Sequence, residues 1–450
     1  MEIEEAIAAL VAEVQPISDY ENVPLTEATG RVLAQDIRAP YDVPHFPKSA
    51  MDGYAVCAEG VKDATPDRPV TLRVMGEMLA GDTPLFSGRS KEACKVTAVR
   101  IMTGAAVPEG YDAVVRQEDT DYGETEVQIY KSVAPYTNYC KVGEDVQKGS
   151  VVLTAGRRIG RVEAGVLASL GISVVPVVRR IRVTIISTGS ELCDPIEMRS
   201  EPSDDGFGGY DSKHCGTTEA ESLDSQSAES GSSKIGSRES GSVSRPPEAG
   251  KIYNSIAYTL TASLTEAGFL TEHCICADDA ETISAALERA LETSDVVITT
   301  GGVSVGKKDL LPEVLESIGA KRVFSGINVQ PGTPTIGSVK DGKAILSLSG
   351  NPYAALVNYD LYFWPVAAKL TGCDGYLPKT EEAVLASEYP KVNRLRRLLR
   401  ARVEGGRVTL PAKSHASSVL SNLLDCNCYI DLPKETEVHP GDTVKVIRMK

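Results

Sequence analysis

The sequence predicts a multidomain α/β protein: a doubly wound α/β domain, a β-rich domain, a mainly helical connecting domain and a small C-terminal all-β domain. Three observations carry this. Strand and helix patterns alternate from about residue 181 to 372, the signature of a mostly parallel sheet with helices on both faces. Short apolar runs punctuated by Gly, Pro, Asp and Thr fill residues 23–151. Strand patterns return from about Tyr376, around Glu404-Gly405-Gly406. The 450 residues also exceed what one hydrophobic core organises.

In chain order, Ile3, Ile7, Leu10 and Val14 have helical spacing and predict a helix over 3–14. A second helix over 161–170 stops at Gly171. A strand over 181–186 opens the α/β region. Ile256, Leu260 and Leu264 mark a helix that ends at Gly268, and a strand follows over 269–276. Ile283, Ala286, Leu287, Ala290 and Leu291 give the next helix, and 296–299 a buried strand. A helix through Leu311 and Leu315 ends at Gly319. A strand over 344–348 precedes a helix from Pro352. Residues 395–403 and 407–410 read as a hairpin, with further strands at 429–432 and 443–447. The expected domains are 1–45 with 151–178 (connecting), 46–150 (β-rich), 179–373 (α/β) and 376–450 (C-terminal β). Residues 200–250 hold few large aliphatic side chains, so they cannot bury enough apolar surface to offset ordering and read as a disordered insertion in a loop.

Composition narrows the function. A net charge of −15 disfavours nucleic acid as a partner. No apolar run reaches the ~18 residues that cross a bilayer. The N-terminus, Met-Glu-Ile-Glu-Glu, lacks the basic start of a signal peptide, so a cytoplasmic location and no membrane association are expected. The 10 cysteines include the pairs Cys274/Cys276 and Cys426/Cys428, without zinc spacing. Both pairs read as buried thiols on one strand face, not ligands.

The strongest local motif is Thr299-Thr300-Gly301-Gly302-Val303-Ser304-Val305-Gly306, after a strand and before a helix. Glycines let backbone N–H groups approach an anion, and a following helix N-terminus favours negative charge. A tight βα turn would use the same glycines, and Asp309 could simply cap its helix. Ser187-Thr188-Gly189-Ser190-Glu191 and Ser349-Gly350-Asn351-Pro352 end two other strands. Asn351 suits an N-cap and Pro352 a first helical position, but capping does not explain several such corners on one sheet edge. Together they predict a site for a phosphorylated small molecule at the carboxyl ends of the strands. Asp52-Gly53 and Gly143-Glu144-Asp145 are, taken alone, turns.

Read in order, these words resemble the MoeA family, which includes the E domain of gephyrin. The matching words are Ser-Ala-Met-Asp-Gly-Tyr-Ala (49–55), Arg-Ile-Met-Thr-Gly-Ala (100–105), Gly-Glu-Asp (143–145), Ser-Thr-Gly-Ser-Glu-Leu (187–192), Gly-Lys-Ile-Tyr-Asn-Ser (250–255), Gly-Gly-Val-Ser-Val-Gly (301–306) and Ser-Gly-Asn-Pro (349–352). The resemblance covers nearly the whole chain outside 200–250. It implies a molybdopterin molybdenumtransferase that takes molybdate and adenylylated molybdopterin as substrates and releases AMP, with Mg²⁺ assisting. It implies a homodimer whose cleft joins the α/β domain of one subunit to the β-rich domain of the other, and a molybdopterin adenylyltransferase as a further partner.

By motif position the resemblance puts catalytic acids at Asp52, Asp145, Glu191 and Asp309, with Asp52, Glu191 and Asp309 on magnesium. Substrate contacts fall on Thr103, Ser187, Thr188, Gly189, Asn254, Gly301, Gly302, Val303, Ser304, Gly306, Gly350, Asn351 and Pro352. Asn254 stands where the family carries an acid, so it can hydrogen-bond but not act as a base. The metal-oxyanion pocket falls on Pro334, Arg397, Ser417 and Ser418. Here the chain departs from the pattern. Gln330-Pro331-Gly332-Thr333-Pro334 replaces Lys-Pro-Gly-Lys-Pro, and Ala354 replaces a serine. A lysine ~4 Å from a unit anionic charge would contribute about 4 kcal/mol at an effective dielectric near 20, before desolvation. Arg394, Arg396, Arg397 and Arg400 are the candidate substitutes. Strand alternation puts Arg394, Arg396 and Arg400 on one face and Arg397 opposite, and a solvated strand face would explain them equally. Competing readings are a molybdopterin-binding carrier or sensor that has lost insertion, a tungstate-preferring insertase, and the related adenylyltransferase.

Overall fold

The computed structural model describes residues 1–83, 90–195, 246–303, 310–412 and 416–450. Most of the expected insertion lies outside these residues, as do Ser304, Gly306 and Asp309. The chain divides into two compact units, Glu21–Val177 and Met1–Tyr20 with Val178–Lys450.

In the unit Glu21–Val177 a five-stranded sheet runs in the order Ala113–Arg116, Gly53–Val56, Thr97–Ile101, Val70–Met78, Glu126–Ile129. Successive residues of Gly53–Val56 enter opposite cores: Tyr54 and Val56 pack with Leu72, Val115 and Val127, and Ala55 with Met78, Val99 and Ile101. Period-two alternation with both faces apolar explains why this strand reads as continuously hydrophobic. Gly53 is obligatory at its register, because a Cβ would overlap the carbonyl of Val115. A third cluster gathers Leu33, Ile37, Leu153, Ile159 and Val177 around Leu167 of the Arg161–Ser169 helix.

The other unit holds a six-stranded sheet in the order Leu270–Cys276, Arg182–Thr188, Val296–Thr300, Lys343–Leu348, Ile336–Lys340, Lys321–Ser325. The first four strands are parallel, and Ile336–Lys340 pairs antiparallel with its neighbour on each side. Helices Ala280–Thr293 and Leu311–Ser317 pack together over Ile186, Val297 and Ile345. Ser255–Glu266 packs on the Pro352–Thr371 helix, which also meets Ile3–Glu13. The mostly parallel, doubly wound sheet is therefore as expected. The strands at Lys321–Ser325, on the sheet edge, and Ile336–Lys340, beside it, are additions whose mixed composition gave no clear pattern.

Residues from Thr380 form a small closed barrel. Val329–Gln330, Arg396–Glu404, Arg407–Thr409, Thr380–Leu385, Thr443–Arg448 and Cys428–Leu432 are neighbours in order, and Arg396–Glu404 also pairs with Cys428–Leu432. The hairpin across Gly405-Gly406 is present, both glycines at positive φ. Two expectations fail. Cys274 is exposed while Cys276 is 5% exposed, because Leu270–Cys276 is an edge strand whose outer surface no helix fully covers. The arginine run is not a solvated face either: Arg394 precedes the strand, and Arg400 is completely buried.

Candidate active site

Register aligns the glycine corners. Thr188 pairs with Cys276, Ser187 with Thr300 and Thr300 with Leu348, so the strands end level and Gly189, Gly301 and Gly350 emerge side by side. Gly301 has φ +91, and a Cβ there would sit 2.5 Å from the Thr188 carbonyl oxygen. Its N–H donates to Leu348 O at 3.1 Å, tying two corners together. A Cβ on Gly350 would come 3.6 Å from Gly301 Cα. The N–H groups of Gly302, Val303 and Gly350 have no acceptor among the described residues. Unclaimed N–H groups at neighbouring strand ends are the kind of donor that phosphate oxygens take.

Polar side chains beneath hold these corners. Ser187 Oγ accepts from Asn254 Nδ2 and Thr300 Oγ1, each at 3.0 Å. Asn254 Oδ1 accepts from Ala257 N and caps the Ser255–Glu266 helix. Ser187 is 0% and Asn254 2% exposed, so both support the corners from below. Thr188 is also buried, its hydroxyl donating to Thr300 O at 3.3 Å. Ser190 N donates to Asp278 Oδ2 at 3.0 Å, and Lys251 Nζ to Ser190 O at 2.6 Å. Glu191 is exposed, and its carboxylate folds back over Gly189. Asn351 occupies the N-cap position before Pro352, but its side chain makes no capping bond; its N–H donates to Ser349 Oγ at 3.2 Å. Capping therefore does not account for the Asn351 side chain, which is exposed and available to a ligand.

A second corner forms where Val329–Gln330 pairs with the start of Arg396–Glu404. Arg397 Nη1 donates to Gln330 Oε1 at 3.2 Å, while its buried Nε has no partner. Thr333 donates to Val329 O at 2.6 Å, which ties its hydroxyl into the loop; Pro334 is half-buried. Gly332 lies against Asn358, which donates to its carbonyl at 2.8 Å and leaves no room for a Cβ. Ser417 O accepts from Tyr353 N at 3.0 Å. Arg396 is a structural cation: it reaches Asp431 at 2.7 Å and Glu4 at 2.8 Å, and the Asp431 carboxylate raises its pKa further.

In the unit Glu21–Val177, Asp52 is exposed and Oδ1 accepts from both the N–H and the hydroxyl of Thr103 at 2.7 Å. These bonds, the backbone one first, hold its pKa below the ordinary value. Oδ2 makes no hydrogen bond among the described residues. Asp145 is exposed, and its N–H donates to Val43 O at 3.0 Å. Asp52 and Thr103 are thus brought together, with Asp145 on a separate turn.

Family profiles cover almost the whole chain. The MoeA N-terminal region (domain I and II) matches residues 1–171, a probable molybdopterin binding domain matches 184–369, and the MoeA C-terminal region (domain IV) matches 382–449. The chain belongs to the MoeA family. A molybdopterin molybdenumtransferase of Bacillus subtilis is 33% identical over 100% of this chain and 94% of the relative. One from Staphylococcus epidermidis is 32% identical over 99% and 94%, and molybdopterin molybdenumtransferase 2 of Mycobacterium tuberculosis 32% over 99% and 98%. The crystal structure of a MoeA protein of Pyrococcus horikoshii superposes with a TM-score of 0.77 at 28% identity, covering 100% of this chain and 99% of that one.

Within this MoeA-family chain, sequence reasoning missed Thr300, Lys251, Asp278 and Tyr353 as parts of the two corners, while Arg400 was already a candidate at the second. Thr300 and Lys251 lie inside the quoted words and could have been found there. Asp278 and Tyr353 carry no local signal, because their roles depend on elements that only folding brings together.

Proposed function

We propose that this chain is a molybdopterin molybdenumtransferase, transferring molybdenum from molybdate to adenylylated molybdopterin with release of AMP. The observation that carries the reading is the row of register-aligned glycine corners with unclaimed N–H donors, in a chain that matches transferases of that name end to end. The corners bind the phosphates of the adenylylated ligand, and the Ser187, Asn254 and Thr300 hydrogen bonds keep the strand ends rigid while they do so. Asp52 is kept as a carboxylate by Thr103, with one oxygen free to orient a water or a cation. The corner of Pro334, Arg397, Ser417 and Ser418 receives molybdate. Full-length likeness to transferases speaks against a carrier without turnover.

Magnesium fits the donor chemistry. Among the described residues no three His, Cys, Asp or Glu side chains gather into a metal cluster. Mg²⁺, however, commonly takes one or two carboxylates and completes its shell with phosphate oxygens and water. Glu191, folded over the Gly189 corner, offers an exposed carboxylate, and an ion held there would neutralise charge on the pyrophosphate as it is cleaved; Asp52 offers another exposed carboxylate within its own unit. Asp145 is the further acid, and Asp309 belongs to the same proposal from motif position alone.

A homodimer, a cytoplasmic location and an adenylyltransferase that supplies the ligand complete the reading. No described helix is long and apolar enough to cross a membrane. The deciding assay gives purified protein, adenylylated molybdopterin and Mg²⁺ either molybdate or tungstate, and measures AMP release; light scattering gives the mass. AMP release stimulated by molybdate is expected. Release no faster than without enzyme would remove the proposal, and release with tungstate alone would reassign the metal.

A further inference from the structure

The arginines of the barrel's first long strand are treated unequally. Arg396 has two carboxylates. Arg400 has none among the described residues: it is 0% exposed, its Nε is unpartnered there, and its guanidinium carbon lies 3.8 Å above the Tyr353 ring. The other two nitrogens bind carbonyls, Nη2 to Ala416 O at 2.6 Å and Nη1 to Val419 O. Tyr353 reinforces this geometry. Its hydroxyl donates to Leu398 O and accepts from Arg400 N, both at 2.7 Å. Its own N–H donates to Ser417 O. The Arg400 side chain thereby holds the carbonyls of residues 416 and 419, and the Tyr353 backbone holds that of 417. The N–H groups and hydroxyls of Ser417 and Ser418 have no partner among the described residues. Arg397 adds a second guanidinium with a buried Nε that has no partner, and no carboxylate, among the described residues.

A buried cation without a counter-charge is costly, and two such neighbours repel each other. Folding tolerates the arrangement where an anion arrives to complete it. We propose that Tyr353 and Arg400 are positioning residues that clamp residues 416–419 so that Ser417 and Ser418 present their donors to a tetrahedral dianion, and that this dianion, molybdate, is the counter-charge Arg397 and Arg400 lack. The clamp takes over the electrostatic work of the absent lysines at Gln330 and Thr333: one fixed buried charge and a rigid donor lip replace two mobile charges. The inference rests on the molybdate-transfer reading and deepens it.

The test uses the full chain with Tyr353→Phe, Arg400→Lys and Arg400→Gln. Tyr353→Phe keeps the stacked ring and removes the hydroxyl with both of its hydrogen bonds; the looser clamp raises the KM for molybdate roughly fivefold, about 1 kcal/mol. Arg400→Lys keeps the charge but cannot bridge two carbonyls, and Arg400→Gln loses both, so the molybdate KM rises further in that order. The KM for adenylylated molybdopterin stays unchanged, as does kcat at saturating molybdate in Tyr353→Phe; a merely structural role would move these together. Independently of turnover, molybdate raises the Tm of the wild type and not that of Arg400→Gln. An unchanged molybdate KM in all three variants, or a parallel rise in both KM values, overturns the clamp and leaves the transferase reading intact. If the wild type releases no AMP, that reading fails, and the Tm response to molybdate alone then decides whether the clamp holds an oxyanion.

Discussion

At the residue scale the chemistry depends on positions where a single atom is decisive. Gly301 combines a left-handed backbone with contact against the Thr188 carbonyl. Gly301→Ala should cost about 1–3 kcal/mol of stability and abolish binding of the phosphorylated ligand in calorimetry. Gly165 is the counter-example: it lies in the Arg161–Ser169 helix with nothing within 4 Å of a Cβ. Gly165→Ala should therefore stabilise by about 0.5–1 kcal/mol. Asp52 gives a prediction in pH. Its folded pKa is depressed by the Thr103 donors, so the carboxylate persists to lower pH than an ordinary aspartate. Thr103→Val removes the hydroxyl and keeps the N–H. The Asp52 pKa then rises towards 3.8, and the acid limb of AMP release moves to higher pH. An NMR titration of Asp52 reads the same change directly.

At the scale of elements, the Pro352–Thr371 helix is central to its unit. Its first residues sit between the glycine corners and the Arg397 corner, and nearly every later position is buried. Burial on all sides explains why the amphipathic signal is weak there and why the helix announces itself by Pro352 instead. Inside it Asp360 accepts from Tyr429 at 2.7 Å and from Trp364 at 3.1 Å, joining helix to barrel. Burial pushes its pKa from 3.8 up to about 7. The folded state therefore holds this proton more tightly than the unfolded chain. Its stabilising contribution is complete below about pH 4 and declines as the pH rises through about 7, a loss on the order of 4 kcal/mol. Asp360→Asn should flatten that slope in denaturant titrations at pH 5 and pH 8.

At the scale of the whole molecule, the two units carry separate hydrophobic clusters. Units with their own cores unfold with their own midpoints, so calorimetry should show a transition that departs from two-state behaviour. Gly165→Ala should raise only the midpoint of Glu21–Val177, and Asp360→Asn should shift only the other. One midpoint that moves with both variants would show that the units unfold as one. The net charge of −15 sets a further constraint. Anionic substrates meet an acidic protein, so attraction must be local, which places the weight on free N–H donors, Arg397 and Arg400.

What was legible in the sequence follows from locality. Helical spacing over Ile283 to Leu291, glycines closing helices and strand-end glycine words are set by neighbours a few residues apart, and each appears in the structure as read. The doubly wound sheet followed, because strand–helix alternation leaves few ways to cover a parallel sheet. The glycine corners were visible as words, but their alignment is a matter of register between Arg182–Thr188, Val296–Thr300 and Lys343–Leu348. The roles of polar residues were less legible. Ser187 and Asn254 read as ligand contacts and lie beneath the surface; Asn351 read as a cap and leaves its side chain free. Arg396, Arg397 and Arg400 look alike in sequence. One is neutralised by Asp431, one leans on Gln330, and one is buried over Tyr353. The sequence alone determined which backbone corners can meet an anion, because glycine geometry is local. Only the tertiary structure decided which cations lack a counter-charge, because charge compensation in a folded protein depends on what distant strands and helices bring within a few ångströms.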